Sequence, residues 1–205
     1  PAAAAAGARV LAQGGNAIDA AAAVQFALNV VEPQSSGIGG GGFMLVHLAK
    51  TGESFIVDSR ERAPAAASAD MFAPAGLPMQ FPLASTSGLA VGVPGTLRGV
   101  DTALRRWGTF KLADALAPAI ELAEHGFRVN RFLAADIADD GGRTRLQPET
   151  AAIFRPGGVP LAEGDWLVQP DLAKTLKLIA AKGPDAFYRG ALARAIVGAQ
   201  QRSRS

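Results

Sequence analysis

Between Ala17 and Val31 the chain is apolar on almost every side of a helical projection, with Ala20, Ala23, Val24, Ala27, Leu28 and Val31 recurring and few polar interruptions. A helix of that kind lies between packed layers, and its alanines allow close approach to a sheet. Asn16 offers a side-chain oxygen to an amide of the first turn, and Asp19 adds negative charge near the positive end of the helix dipole. The preceding segment, Pro1 to Leu11, also reads as helical. Pro33 stops the apolar helix, and Ser35 to Gly42 forms a flexible turn into the run Phe43 to Leu48. After Lys50-Thr51-Gly52, the run Ser54 to Asp58 completes an antiparallel hairpin, with Arg60 just past its end.

Ala63 to Val91 is rich in Pro, Ala, Ser and Gly without a clear period, which predicts a loop with at most one short helix near Ala69 to Phe72. Pro94 and Thr96 open a helix that ends at Gly108 and carries Leu97, Val100, Leu104 and Trp107 on one stripe. Asp101 and Arg105 sit one turn apart on its outer side. Leu112 to Glu124 is helical but interrupted by Pro118, which either kinks the helix or restarts it. Gly126 and Phe127 read as a glycine cap with its hydrophobic contact. Further helices are predicted over Arg131 to Ala138, Asp171 to Lys182 and Ala191 to Gln200, the second with stripe Leu172, Leu176 and Ile179 and a stop at Gly183-Pro184. Two early strands fall short of the roughly four to six of a stable sheet. The remaining strands are therefore expected in sequence outside this chain.

Composition narrows the class. With 205 residues, 49% hydrophobic and 19% charged, the chain reads as one globular domain, residues 1–205, expected to be incomplete. No solenoid period is present. The net charge of +2 comes from arginines scattered among acids such as Asp101 and Glu121. Only Arg202 to Arg204 is locally basic, too short for nucleic-acid binding, and 6% aromatic residues offer no stacking platform. The absence of cysteine excludes disulfides, thiolate zinc sites and a cysteine nucleophile, and leaves the compartment unread. Ala17 to Val31 is shorter than the roughly 20 residues of a membrane span and holds Asp19, Gln25 and Asn29, so no span is predicted. Because the chain opens inside a helix, a truncated or processed piece is expected.

Candidate chemistry is sparse. Gly37, Gly39 and Gly42 fit a G-x-G-x-x-G spacing, with Asp58 following, but dinucleotide binding needs strand, glycines, helix, and here the order is helix, glycines, strand. No Lys follows to make a P-loop. The run reads as a structural turn that lets backbones approach closely, and no cofactor is predicted. His47 and His125 lack partners at metal-ligand spacing; Glu121, four residues before His125, is weak support, and His125 suits the helix C-terminal dipole better. No G-x-S-x-G elbow is present. Arg60 stands out: it follows a strand in the charge-dense segment Asp58-Ser59-Arg60-Glu61-Arg62 and leads into a loop. There a guanidinium either grips a carboxylate by two parallel hydrogen bonds or pairs on the surface with a neighbouring acid.

Resemblance adds to this reading. Gln13-Gly14-Gly15-Asn16-Ala17-Ile18-Asp19-Ala20-Ala21, Gly39-Gly40-Gly41-Gly42-Phe43-Met44 and Asp58-Ser59-Arg60-Glu61-Arg62-Ala63-Pro64 resemble successive signatures of the gamma-glutamyltransferase family. So do Val93-Pro94-Gly95-Thr96, Pro118 to Ala123 with Gly126-Phe127, and Leu167 to Ala173 through Gly183-Pro184-Asp185-Ala186-Phe187-Tyr188. The resemblance spans nearly the whole chain and implies an α/β N-terminal-nucleophile hydrolase sandwich of four layers (αββα), to which this chain supplies helices and an early hairpin. It implies a precursor that cuts itself into a large and a small subunit, whose new N-terminal threonine attacks a gamma-glutamyl amide such as glutathione with its own amine as base. Only the large subunit is resembled: none of the eight threonines is followed by Thr or His, as the family's Thr-Thr-His would require, so no catalytic residue is expected here. Gln200 to Ser205 matches nothing in the family, and large-subunit residues beyond about Gln200 are expected to be missing.

Within the resemblance, Arg60 matches the arginine that holds the substrate's alpha-carboxylate. Glu61 and Arg62 carry no role beyond surface ion pairing. The expected partners are the small subunit and a gamma-glutamyl substrate, with no nucleic acid, in a periplasmic or extracellular compartment. The rival readings are a related amidase, such as a cephalosporin acylase or a poly-gamma-glutamate depolymerase, and a non-catalytic binding or scaffold remnant.

Overall fold

The computed structural model describes residues 1–139 and 143–203; Arg204 of the basic tail lies outside them. In chain order the elements are α1 (Ala2–Ala12), α2 (Ala17–Val31), α3 (Pro33–Ser36), β1 (Phe43–Leu48), β2 (Glu53–Asp58), α4 (Phe81–Thr86), α5 (Thr96–Trp107) and α6 (Leu112–His125). They continue with β3 (Phe127–Arg128), α7 (Arg131–Ala138), α8 (Pro148–Phe154), β4 (Trp166–Leu167), α9 (Pro170–Lys182), α10 (Asp185–Tyr188) and α11 (Gly190–Arg202). They group into two compact units, one of residues 1–38 and 100–181, the other of residues 39–99 and 182–205.

In the first unit α2 lies between α1 and α6, so the close neighbours its alanines admit here are helices rather than a sheet. Ala22, Ala23, Phe26, Ala27 and Val30 are fully buried. Gly7 of α1 gives α2 its room: a Cβ there would come within 2.6 Å of Val24 Cγ2. Pro118 does not restart α6 as a new helix. The helix runs through it, and Leu116, Pro118 and Ala119 are buried, so packing offsets the hydrogen bond that proline removes. Gly126 ends α6 at φ 84°, its amide bonded to Leu122 O at 3.0 Å. Phe127 then pairs with Leu167 in a two-residue ladder that the sequence did not predict.

The strongest polar constraint is Asp19. It closes a capping box with Asn16, whose side chain accepts from the amides of Ile18 (2.8 Å) and Asp19 (3.1 Å), while Asp19 Oδ2 accepts from the Asn16 amide at 2.8 Å. The same carboxylate, with no solvent exposure, accepts from the Thr109 amide (2.9 Å) and hydroxyl (2.7 Å) and from the Phe110 amide (3.0 Å). Asn16 Nδ2 donates to Trp107 O at 2.7 Å. The cap of α2 thus fastens the end of α5 and the turn into α6. Gln169 is a second tie, donating from its side chain to Val30 O and from its amide to Ala123 O, both at 2.9 Å.

The structure corrects three further expectations. Ser35 and Ser36 do not open a flexible turn but close the helical turn Pro33–Ser36, because the fixed φ of Pro33 suits a first helical position and the Ser35 and Ser36 amides bond back to Glu32 O. Ala69 to Phe72 is not helical: the Ser68 hydroxyl bonds to Asp70 at 2.6 Å, a local bond that competes with helix formation, and the short helix is α4 instead, with Pro82 in its first turn. Asp101 does pair with Arg105, at 3.0 Å, but lies only 5% exposed. The covered arc of α5 includes Ala103 besides Leu97, Val100 and Leu104 and is wider than the apolar stripe.

In the second unit β1 and β2 pair antiparallel, Phe43 opposite Asp58 and Leu48 opposite Glu53. Val46 points to the covered face. Phe43, Leu45 and Ile56 share the other face and are 67, 73 and 70% exposed.

Burial pushes the Asp19 carboxyl up, but the bonds from Phe110, Thr109 and Asn16 outweigh it and hold it below the ordinary carboxylate range. A depressed folded value means stability that is complete above the unfolded value near pH 4 and lost as pH falls through the folded one. Asp19→Ala in the full-length protein should cost about 3 kcal/mol near neutral pH, since several buried amides lose their acceptor. Asp19→Asn should narrow its deficit against wild type below about pH 4. Denaturant titrations at pH 7 and pH 3 measure both; an equal deficit at the two pH values would contradict this account.

Candidate functional site

Three segments of the second unit meet at Ser59, and they meet through main chain. The Gly42 amide donates to Ser59 O at 3.2 Å, the Ser59 amide to Gly42 O at 2.9 Å, and the Ser59 hydroxyl to Gly42 O at 3.0 Å. From the other side the Gly95 and Thr96 amides donate to Gly40 O at 2.9 and 3.0 Å. Arg62 and Val93 exchange a pair of backbone bonds at 3.3 and 2.8 Å. The loop after β2 is thus bonded to the glycine turn before β1 and to the segment that opens α5.

Glycine is required at these crossings. A Cβ on Gly41 would lie 2.3 Å from Ser59 O, and one on Gly95 only 1.9 Å from the same oxygen. Both contacts are with backbone, which has no side-chain end to swing aside. Within the run that mimics a nucleotide fingerprint the crowded position is Gly41, whereas a Cβ on Gly39 or Gly42 would meet nothing within 4 Å.

Arg60 emerges from this clamp. Its amide donates to Asp58 Oδ1 at 3.0 Å, which fixes the turn after β2. Its side chain is 59% exposed and places Nη1 3.3 Å from Glu61 Oε2. That oxygen is shielded from solvent and takes no hydrogen bond from any described residue, so the guanidinium is its compensating contact. Arg62, beside it, takes part through its main chain in the bridge to Val93.

The other candidates do not join this group. His47 Nδ1 lies 3.0 Å from Ser54 Oγ on the exposed face of the hairpin, and His125 occupies the last turn of α6. Among the described residues no cluster of three or more His, Asp or Glu could hold a metal ion, and no helix is long and apolar enough to cross a membrane. A cavity of about 490 Å³ in the first unit, lined in part by Gln34, Leu133, Asp136 and Phe154, contains none of the residues singled out from the sequence. The sequence reading missed the role of Ser59 as the crossing point, for which the neighbouring glycines were the available signal. It also missed Tyr188 and Arg98, which brace the Pro94 turn.

Comparison with known proteins accords with this geometry. The family model of gamma-glutamyltranspeptidase matches residues 3–205. The chain is 54% identical over 192 residues to a glutathione hydrolase proenzyme of Bacillus subtilis (strain 168), which covers 93% of this chain and 32% of that protein. It is 46% identical over 202 residues to the acylase ACY 1 proenzyme of Pseudomonas sp. (strain SE83), covering 96% of this chain and 36% of the relative. The crystal structure of Helicobacter pylori gamma-glutamyltranspeptidase superposes with a TM-score of 0.94 at 40% identity, over 98% of this chain and 58% of that one. The chain thus spans about a third of the length of the curated relatives it matches. It shares the α/β N-terminal-nucleophile hydrolase fold of these neighbours and supplies helices and a small antiparallel hairpin to it. With the signature glycines, the Arg60 loop and the α5 turn assembled as one backbone clamp, the chain belongs to the gamma-glutamyltranspeptidase family.

Proposed function

We propose that this chain is the N-terminal part of the large subunit of a gamma-glutamyltransferase or hydrolase, and that Arg60 binds the alpha-carboxylate of the gamma-glutamyl group. The observation that carries the reading is the presentation of Arg60: a rigid main-chain clamp beneath, an exposed guanidinium above. A guanidinium has five donors in a planar fork, and the 3.3 Å contact with Glu61 engages Nη1 alone, so a substrate carboxylate can engage the remaining donors in two parallel bonds.

The reaction assigned to the whole protein is transfer of the gamma-glutamyl group of glutathione-like amides to water or an amino acid, through an acyl-enzyme on an N-terminal threonine. That threonine belongs to a small subunit cut from the same precursor. The names of similar proteins, glutathione hydrolase proenzymes among them, support this reading. The proposal carries a periplasmic or extracellular location, which rests on the family resemblance alone. A second reading, an amidase for another acyl group, is favoured by the 46% identity to an acylase; the two differ in whether Arg60 meets an alpha-carboxylate.

The same reading explains the hairpin. Phe43, Leu45 and Ile56 form an exposed apolar face on two strands, and exposed apolar surface of this kind marks an interaction site. We assign it to the further strands and layers of the αββα sandwich, so that residues 1–205 form one incomplete domain.

Two outcomes test the proposal. The 205-residue polypeptide alone should release no product from a gamma-glutamyl anilide and should melt without a sharp transition by calorimetry; turnover at a rate typical of the enzyme, from material free of any partner chain by mass spectrometry, would sink it. In the complete enzyme, Arg60→Ala should lower kcat/KM for a gamma-glutamyl donor by about 2 to 5 kcal/mol of transition-state binding, while self-cleavage of the precursor proceeds. Arg60→Lys should restore only part, because a point charge does not reproduce the planar grip. The preference for a gamma-glutamyl over a glutaryl donor, which lacks the alpha substituents, should collapse in Arg60→Ala. If the preference survives, Arg60 is a surface cation and the acylase reading gains.

A further inference from the structure

We infer that Tyr188 is a positioning residue for Arg60, acting through the Pro94-Gly95 turn; the inference rests on the carboxylate-binding reading of Arg60. The Gly183-Pro184-Asp185-Ala186-Phe187-Tyr188 signature has no part in the chemistry proposed above, yet the fold brings its last residue to the back of the clamp. The Tyr188 hydroxyl donates to Pro94 O at 2.9 Å and accepts from the Arg98 amide at 3.3 Å. It thereby bonds the carbonyl just before Gly95 and an amide of the first turn of α5.

The phenol is itself held in place. Its ring stands edge-on to Phe187 at 5.2 Å, Phe187 is buried, and the Arg98 guanidinium lies 5.0 Å above the Tyr188 ring. Arg98 Nη2 continues to Asp185 Oδ1 at 2.8 Å, which ties α10 to the start of α5. Burial pushes the phenol up from its ordinary range, so the hydroxyl keeps its proton and remains a donor near neutral pH.

What Tyr188 fixes is a turn packed directly against the Ser59-Arg60 peptide. Gly95 lies so close to Ser59 O that no Cβ fits between them, and the Gly95 and Thr96 amides hold Gly40 O, whose neighbour Gly41 also packs against the same Ser59 carbonyl. A displacement of Pro94-Gly95 by a few tenths of an ångström is therefore passed to the Ser59-Arg60 peptide rather than absorbed by side chains. A fork that must meet a carboxylate with two bonds is sensitive to displacements of that size. Tyr188 touches no reacting atom, and its effect is confined to the aim of the guanidinium.

The test is Tyr188→Phe in the complete, self-cleaved enzyme, which keeps the ring under Arg98 and removes the hydroxyl alone. The expected result is a loss of about fivefold to tenfold, the worth of one hydrogen bond, in the ratio of kcat/KM for a gamma-glutamyl anilide to that for a glutaryl anilide. The loss should appear mainly in KM for the gamma-glutamyl donor. An equal loss on both donors, or none on either, overturns the inference by reducing Tyr188 to a structural residue. Should Tyr188→Phe fail to self-cleave, Arg98→Met, which frees the ring while leaving the hydroxyl, must lower the same ratio, and an unchanged ratio there overturns it equally. Arg60→Ala run in parallel separates the two claims. If it leaves the ratio unchanged, the carboxylate reading falls and this inference with it; if it collapses the ratio while Tyr188→Phe does not, only the inference falls.

Discussion

The second unit depends on one close approach, that of Gly41 and Gly95 to the Ser59 carbonyl, where a Cβ on either would lie within 2.3 Å of the oxygen. Two other main-chain segments can press against a third at that distance only if neither carries a side chain. The hydrogen bonds of Gly42, Gly95 and Thr96 follow from the contact, because they become possible once the backbones are that near. The direction in which Arg60 leaves the loop follows in turn. The first unit adds a second device: a single buried carboxylate, Asp19, gathers donors from two turns, and its charge helps hold the segments together.

The difference between the two devices explains how much of the fold was legible in the sequence. Elements fixed by local chemistry were read well: the Asn16 cap, the hairpin, the α5 stripe, the Gly126 terminus and the bounds of α7 all announce themselves within a few residues. Elements fixed by distant contacts were not. Pro118 sits inside a continuous helix because α6 is buried against α2, and Asp101 is covered because α5 packs over a wider arc than its leucines mark. The ladder between Phe127 and Leu167 joins residues 40 apart, and two residues carry too little pattern to announce a strand.

The candidate site was legible in part for the same reason. Arg60 was visible as a cation in a charged turn after a strand, and the glycines as a run in the wrong order for a nucleotide. That they belong to one construction was not visible, since the sequence places Gly41, Ser59 and Gly95 at intervals of 18 and 36 residues and no side chain marks the meeting. The signatures also divide by task. Those around Asn16, Pro118 and Gln169 build the first unit, and those around Gly41, Arg60, Gly95 and Tyr188 build the second.

A clamp made of main chain and missing side chains has an evolutionary corollary. Its geometry is stored in positions that tolerate almost no replacement, whereas the guanidinium it presents projects outward and takes no part in holding the loop closed. Selection can therefore exchange the presented group by a single codon change while the platform stays intact. A lineage built this way is rigid in its architecture and free in the group that it presents.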